Sequence, residues 1–424
     1  MLVIGVALVV AAACASSVPG PSAGPPQSSP PQPPGAASQF PVQESQSTGG
    51  PTPTGVASPG SELWTAADVE ESTAVTDAPP SPPVFCSPCH GTSITLLFGV
   101  APTPHGWLAV GLEEPPAEAA IWSSPDARTW RRIEGFPAAN GSVALAVASI
   151  GQRVVVAGRD NAGAISWAST DGVQWSVAPP AGALEGPAGA TRMTSVVAWK
   201  NRFVAAGYSD DPAHNTETAA VWSSTDGLTW QRVGIGNPAF QAAHVLGLAA
   251  SAAGLVAIGT TGSETRGTGV AWSSPDGTAW TRSASAALAN GIPRAVTPFG
   301  SGFAAVGLRA QDDGALSWTS GAGSAWDAAP DQPSLRVGTS PARMMGLAAV
   351  NGGLVGVGWK SDAGNGSAAA WRTADGLTWQ RDTQPPSFSG AEMTAVVASD
   401  AGLVAVGTAG YPDNDAAAIW FGQP

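Results

Sequence analysis

The sequence predicts an all-β protein: a seven-bladed β-propeller of four-stranded antiparallel blades. Its last blade is closed by an N-terminal strand, and a disordered Pro-rich tether precedes the ring. Three observations predict this. Two short motifs alternate seven times, with closing glycines 47 to 52 residues apart. The 424 residues include 53 Gly and 38 Pro, a composition that disfavours helices. Of the 17 Trp, 14 fall at two repeated positions.

Each period opens with an apolar strand such as Thr194–Trp199. The second strand ends on an apolar residue and a glycine: Gly111, Gly158, Gly207, Gly259, Gly307, Gly358 and Gly407. The third and fourth strands flank a hairpin that reads Trp-Ser-Ser-x-Asp-Gly-x-x-Trp in its best copies. The leading Trp is Trp122, Trp167, Trp222, Trp272, Trp318, Trp371 or Trp420. The trailing Trp follows eight residues later in six copies: Trp130, Trp175, Trp230, Trp280, Trp326 and Trp379. Asp-Gly between apolar strands specifies a tight hairpin, because Gly accepts positive φ and Asp bonds the turn backbone. The Asp is Asp126, Asp171, Asp226, Asp276 or Asp375; the fifth copy has lost it, and the first has Ala127 in place of Gly. A flat stack of seven such sheets would leave two apolar faces bare, whereas a ring buries them all.

The seventh period ends at Trp420–Pro424, without a fourth strand. Upstream of the first period stands Glu62-Leu63-Trp64-Thr65. It is expected to supply the missing outer strand, with Trp64 as the seventh trailing Trp. Residues 61–424 then form one propeller, and Trp107, Trp199 and Trp359 remain outside the repeat.

Residues 15–60 carry 12 Pro and one charge, Glu44. Such a segment cannot bury enough apolar surface to offset chain entropy, so it reads as a partly polyproline II tether. Before it, Leu2–Ala13 is apolar but too short to span a bilayer as a helix. Residues 1–14 read as a signal peptide whose Cys14, after three Ala, resembles a bacterial lipobox cysteine. The expected location is therefore outside the cytoplasm, in the cell envelope, lipid-anchored to the outer side of the membrane or secreted. The lipid anchor would be the one contact with the membrane. The net charge of −13 repels phosphate and argues against nucleic-acid binding.

The hairpin Ser224–Trp230 resembles the Asp-box of sialidases and BNR-repeat proteins, whose pattern is Ser-x-Asp-x-Gly-x-Thr-Trp; here Asp and Gly are adjacent. The resemblance covers residues 90–424 and extends to secreted bacterial propellers of lipoprotein type. It implies that Asp126, Asp171, Asp226, Asp276 and Asp375 are structural turn residues away from any active site. Sialidases themselves bind a carboxylate with three Arg and use a Tyr nucleophile with a Glu partner and an acid/base Asp. Their Phe/Tyr-Arg-Ile-Pro motif is absent; the nearest string is Arg132-Ile133-Glu134, and Tyr208 and Tyr411 are the two tyrosines. No catalytic residue is assigned, and a carbohydrate-active enzyme of sialidase-like type stands as the alternative reading.

Cys86-Ser87-Pro88-Cys89-His90 matches the Cys-x-x-Cys-His string of haem c attachment. A haem redox lipoprotein would need a further ligand, for which Met193 and Met393 are candidates, yet these sit at equivalent repeat positions. The competing reading is a short disulfide formed outside the cell.

The segments between second and third strands vary in length, whereas the Asp-Gly hairpin does not. Variable loops on a fixed scaffold usually carry function. These segments are acidic, with Asp210, Asp211, Asp312, Asp313, Asp413, Asn414 and Asp415 as the densest clusters. Such a rim could attract a basic partner, hold Ca²⁺ or only keep the ring solvated. No cofactor is otherwise expected. The sequence thus predicts a monomeric binding or scaffolding module, meeting a protein or carbohydrate at the cell surface through the face that carries these segments.

Overall fold

The computed structural model describes residues 63–70, 94–178, 184, 191–211, 216–264, 266–309, 314–336, 341–362, 365–410 and 415–423. Cys14, the tether, Cys86, Cys89, His90, Asp312, Asp313, Asp413 and Asn414 lie outside the described residues.

Seven antiparallel sheets make a seven-bladed propeller. The chain enters through β1 (Trp64–Ala66) and β2 (Asp68–Glu70). Blade 1 holds β3 (Ile94–Thr103), β4 (Gly106–Glu114), β5 (Glu118–Ser124) and β6 (Thr129–Arg132). Blade 2 holds β7 (Val143–Ile150), β8 (Arg153–Arg159), β9 (Ala164–Ser169) and β10 (Ser176–Val177). Blade 3 holds β11 (Thr191–Trp199), β12 (Arg202–Asp211), β13 (Thr216–Ser224) and β14 (Gln231–Val233). Blade 4 holds β15 (His244–Ser251), β16 (Gly254–Thr261), β17 (Thr268–Ser274) and β18 (Thr281–Arg282). Blade 5 holds β19 (Gly291–Phe299), β20 (Gly302–Arg309), β21 (Ala315–Ser320) and β22 (Asp327–Ala328). Blade 6 holds β23 (Ala342–Val350), β24 (Gly353–Asp362), β25 (Asn365–Thr373) and β26 (Gln380–Arg381). Blade 7 holds β27 (Ala391–Ser399), β28 (Gly402–Ala409) and β29 (Ala416–Gly422), and β1 completes it.

The closing strand pairs in the register the repeat requires. Thr65, one residue beyond Trp64, lies opposite Phe421, as Gln231, one residue beyond Trp230, lies opposite Ser223 in blade 3. Trp64 is fully buried, and its indole N–H donates to Asp382 Oδ2 at 3.1 Å. One feature departs from the expected four strands. Strand β2 runs parallel to β6 and gives blade 1 a fifth strand. The chain passes straight from one blade edge to the next, with Ala67 N–H donating to Ile419 O and Asp68 N–H to Arg128 O. A short outer edge is thereby covered.

The first strand of each blade touches the first strands of both neighbours, so seven of them line the central channel. Each carries a β-bulge opposite its closing glycine. The bulge brings a carbonyl against the glycine Cα: a Cβ on Gly207 would overlap Arg192 O, and one on Gly259 would overlap His244 O. This steric exclusion is why every second strand carries a glycine opposite the bulge, and each strand runs one to four residues beyond it rather than ending there. Seven apolar clusters form the core, one at each blade interface.

The two Trp positions do different work. Leading Trp residues tie the incoming crossover: Trp272 donates to Ala239 O, Trp318 to Ala287 O and Trp371 to Ser334 O. These acceptors sit in short 3-10 turns, Pro238–Phe240, Ala286–Asn290 and Pro333–Leu335. Trailing Trp residues lock their own hairpin: Trp230 donates to Gly227 O, Trp280 to Gly277 O and Trp379 to Gly376 O. No helix among the described residues is long and apolar enough to cross a membrane.

Candidate functional site

The two ends of the ring differ in chemistry. At one end lie the Asp-Gly hairpins. Asp226 Oδ1 accepts from Leu228 N–H at 2.9 Å and Thr229 N–H at 2.7 Å. Asp126, Asp171, Asp276 and Asp375 make the same pair of bonds. Backbone N–H donors therefore hold the carboxyls of Asp276 and Asp375 down at about 2. Asp226 also falls to about 2, although burial opposes the same donors there. All five carboxylates are engaged in their own turns. A groove of 430 Å³ in blade 6 opens on this end, between Val350–Val355 and Arg372–Gln380. Its charged groups are spent, Arg372 on Asp382 and Asp375 on its turn.

The opposite end, where second strands pass to third strands, is the mouth. The residue directly after each closing glycine, with its cross-strand partner on the first strand, faces this end of the blade. In blades 1 and 5 the pair is apolar: Leu112 with Leu96, and Leu308 with Ile292. Elsewhere it is polar or aromatic. Arg159 pairs with Val143, Tyr208 with Arg192, Thr260 with His244, Trp359 with Arg343 and Thr408 with Glu392.

Blades 2 to 5 gather these side chains into one cluster. Arg192 lies over the Tyr208 ring, 5.0 Å from its centroid, and 3.8 Å from Asp210. Tyr208 also packs against the His244 ring at 4.9 Å. His244 Nδ1 is bonded to Glu217, and its buried Nε2 has no partner among the described residues. The Tyr208 hydroxyl approaches Glu264 Oε1 at 3.5 Å, and Arg294 holds the other oxygen of Glu264 at 3.0 Å. Burial, opposed by Arg192, pushes the Tyr208 phenol up. Burial also raises Asp210, aided by its cross-strand neighbour Glu217. Burial and then the charge of Arg192 lower Arg159.

A second cluster spans blades 6 and 7. Arg343 grips Glu392 with two hydrogen bonds, of 3.0 and 2.8 Å, and stacks on Trp359 at 4.8 Å. Burial, and then Glu392, raise Asp415. Of the three tryptophans outside the repeat, Trp107 and Trp199 are core residues, and Trp359 alone stands at the mouth.

The expected acidic rim needs correction. Several of its carboxylates have arginine or histidine partners that a count of the connecting segments misses, because those partners sit on first and fourth strands. Glu113 pairs with Arg132, Asp210 with Arg192, Glu217 with His244 and Glu264 with Arg294. Asp210 and Asp211 belong to β12, opposite Glu217 and Thr216, rather than to a free loop. Among the described residues no group of three or more His, Cys, Asp or Glu could hold a metal ion. Met193 and Met393, the candidate haem ligands, are fully buried in blade-interface cores.

Sequence reasoning missed Arg159, Arg192, His244, Arg294, Arg343 and Glu392 as site residues. The signal that reveals most of them is the position after each closing glycine together with its cross-strand partner.

Comparisons with known proteins give the fold and the family. No curated protein matches the sequence. The solved structure of YCF48 bound to D1 peptide is similar, with a TM-score of 0.53 and 13% identity, over 86% of this chain and 96% of that one. The Trypanosoma rangeli sialidase in complex with sialic acid has a TM-score of 0.41 and 13% identity, over 77% of this chain and 53% of that one. The Pyrococcus horikoshii acylaminoacyl peptidase has a TM-score of 0.46 and 10% identity, over 78% and 52%. The profile of the DUF6242 beta propeller domain matches residues 124–421, more than half of the sequence. The chain belongs to the DUF6242 beta propeller domain family.

Proposed function

We propose that this protein is an extracytoplasmic binding module, carried on a lipid at Cys14 and a Pro-rich tether. It engages a protein or carbohydrate partner through the mouth. One observation carries the reading: seven blades repeat one backbone plan, and their side chains diverge at the mouth positions, where Arg159, Tyr208, His244 and Trp359 replace apolar residues. A scaffold repeated for stability alone has no reason to exchange apolar side chains for arginine, tyrosine, histidine and tryptophan there.

A glycosidase reading has one specific observation in its favour. The mouth brings Tyr208 beside Glu264, with Arg159, Arg192, Arg294 and Asp210 around them. The chemistry argues for binding instead. Tyr208 is 4% exposed, and burial raises its phenol, whereas an activated nucleophile needs the reverse. Arg294 is already committed to Glu264 through side-chain and backbone oxygens.

The test is a peptide and glycan array probed with the full chain, followed by titration of any hit. Binding that Trp359→Ala abolishes and Arg153→Gln, on the other end of blade 2, leaves unchanged is the expected result. Binding equally insensitive to both variants would sink the mouth assignment. Release of fluorophore from sialosides by the wild type would replace it with the enzymatic reading. For the anchor, Cys14→Ala is expected to move the protein from the membrane fraction to the medium; equal membrane retention would refute lipidation.

A further inference from the structure

We propose that the mouth opens into an apolar throat, where the bulge residues Phe98, Leu145, Leu246 and Met345 wrap one large aliphatic or aromatic side chain of a protein partner. This deepens the binding-module reading, rests on it, and selects a peptide over a glycan.

The bulges form a ring at one level of the channel. Thr394 Oγ1 donates to Leu97 O at 2.6 Å, from blade 7 to blade 1, and Thr194 Oγ1 donates to Val245 O at 2.8 Å, from blade 3 to blade 4. Each acceptor is the carbonyl just before the next blade's bulge residue. A Cβ on Gly99 would lie 3.0 Å from Leu145 O, and one on Gly247 would lie 3.1 Å from Arg294 O. Bulge thus follows bulge around the ring. The first strands that carry them are the innermost strands of their sheets. Phe98, Leu145, Leu246 and Met345 are half-buried, and none of them joins any of the seven blade-interface cores. Their free surface is therefore that of the channel.

The fold does not ask for apolar groups there. Blades 3 and 7 carry Thr194 and Thr394 at the same position, and each hydroxyl serves two backbone carbonyls. Large apolar side chains grouped on a surface open to water carry a hydration cost that a partner's apolar group relieves. Beside the ring, Arg294 with Glu264 and Arg343 with Glu392 satisfy each other, so this wall needs no ionic ligand.

One polar atom of the ring is left bare. Arg294, the bulge residue of blade 5, gives both terminal nitrogens to Glu264, and its buried Nε–H has no partner among the described residues. A buried donor calls for an acceptor. A backbone carbonyl next to the inserted side chain supplies one. A sugar would instead press its hydroxyls unpaired against the apolar wall. An apolar wall with one fixed donor is the chemistry of a pocket for a peptide side chain.

The experiment follows N-acetyl-glycyl-4-fluorophenylalanyl-glycinamide by fluorine NMR as the full chain is added. The line should broaden and shift. The same peptide with leucine at its centre should displace the probe, whereas the alanine and lysine versions should be about ten-fold weaker or more. Fluorotoluene, which has the ring without the carbonyls, should also bind more weakly than the probe. The double variant Leu145→Thr/Leu246→Thr takes the side chain that blades 3 and 7 already use. It should melt close to the wild type and weaken probe binding about ten-fold or more. Arg294→Lys keeps a charge for Glu264, loses the Nε–H and should weaken binding several-fold. Arg153→Gln should change nothing.

No binding of the probe at millimolar concentration would overturn the proposal. So would equal displacement by the alanine or lysine peptide, or binding that the leucine variants leave intact. A double variant that melts far below the wild type would assign these leucines to the core and overturn it too. If array hits still depend on Trp359 in any of these cases, the mouth stands as the binding surface and only the throat falls.

Discussion

The hairpin end and the mouth end of this ring are built by the same strands, yet the seven repeats treat them differently. At the hairpin end a Ser or Thr hydroxyl, a carboxylate and a glycine recur with the same hydrogen bonds in blades 2, 3, 4 and 6. At the mouth, residues at one register position range from Leu112 through Arg159 and Tyr208 to Trp359. The hairpin end solves a folding problem once and copies the solution. The mouth keeps the backbone and varies what it presents. Side chains at the first end should therefore register in stability, and those at the second in binding.

The largest expected effect tests the first half of that contrast. Trp230→Ala empties a buried site at the interface of blades 2 and 3 and removes the indole donor shared by Gly227 O and Ser166 Oγ. The expected loss is about 3–5 kcal/mol in chemical denaturation. Trp64→Ala should cost a similar amount, although Trp64 arrives from the other end of the chain and bonds Asp382 instead of a hairpin. A loss below about 1 kcal/mol for Trp64→Ala would mean that the ring closes without β1.

That equivalence also marks how much was legible in the sequence. Repeat arithmetic demanded a fourth strand for blade 7 and a seventh trailing Trp, and both were found at Trp64. The closing glycines were legible as a motif, but their cause was not. The bulge residues beside them share no chemistry, since they include Phe98, Thr194, Arg294 and Met345. Strand β2 was hidden because Asp68–Glu70 is three residues long, carries two acids and pairs in parallel at an edge. The mouth cluster was hidden for a geometric reason. Tyr208 and Glu264 are 56 positions apart and meet only because blades 3 and 4 are neighbours in the ring.

An intermediate effect probes the mouth. Arg343→Gln leaves Glu392, 15% exposed, without its two charge-assisted bonds and leaves Asp415 facing it uncompensated. The expected cost is about 1–2 kcal/mol near pH 7. It should shrink as pH falls and Asp415 takes up its proton, because the raised value of Asp415 means that its neutral form is the one the fold prefers. A pH-independent loss would place the role of Arg343 in its stacking on Trp359 rather than in charge.

The smallest effect compares one hairpin with its own repeat. Blade 5 has Ala322 where blades 1, 2, 3, 4 and 6 have Asp. There Ser320 Oγ still accepts from Gly323 N–H at 2.8 Å but donates to Ala325 O at 2.5 Å. The hydroxyl has taken over part of the work of the missing carboxylate, so the turn persists. Asp375→Ala in blade 6 should therefore cost only about 1 kcal/mol, and Ala322→Asp should gain at most a similar amount. The pH dependence fixes the cause. The folded-state value of Asp375, about 2, lies below that of an unfolded Asp, so the native hairpin binds fewer protons than the unfolded chain. Its contribution is complete above pH ~4 and is lost as pH falls through about 2. The wild type and Asp375→Ala should thus differ in urea midpoint at pH 6 and converge near pH 2. Ala322→Asp should show the mirror-image trend, with a gain at pH 6 that fades over the same window. Midpoint differences that stay constant with pH would mean that the carboxylate acts through shape alone, and that the hairpin end tolerates Ala322 because the charge was never part of the turn.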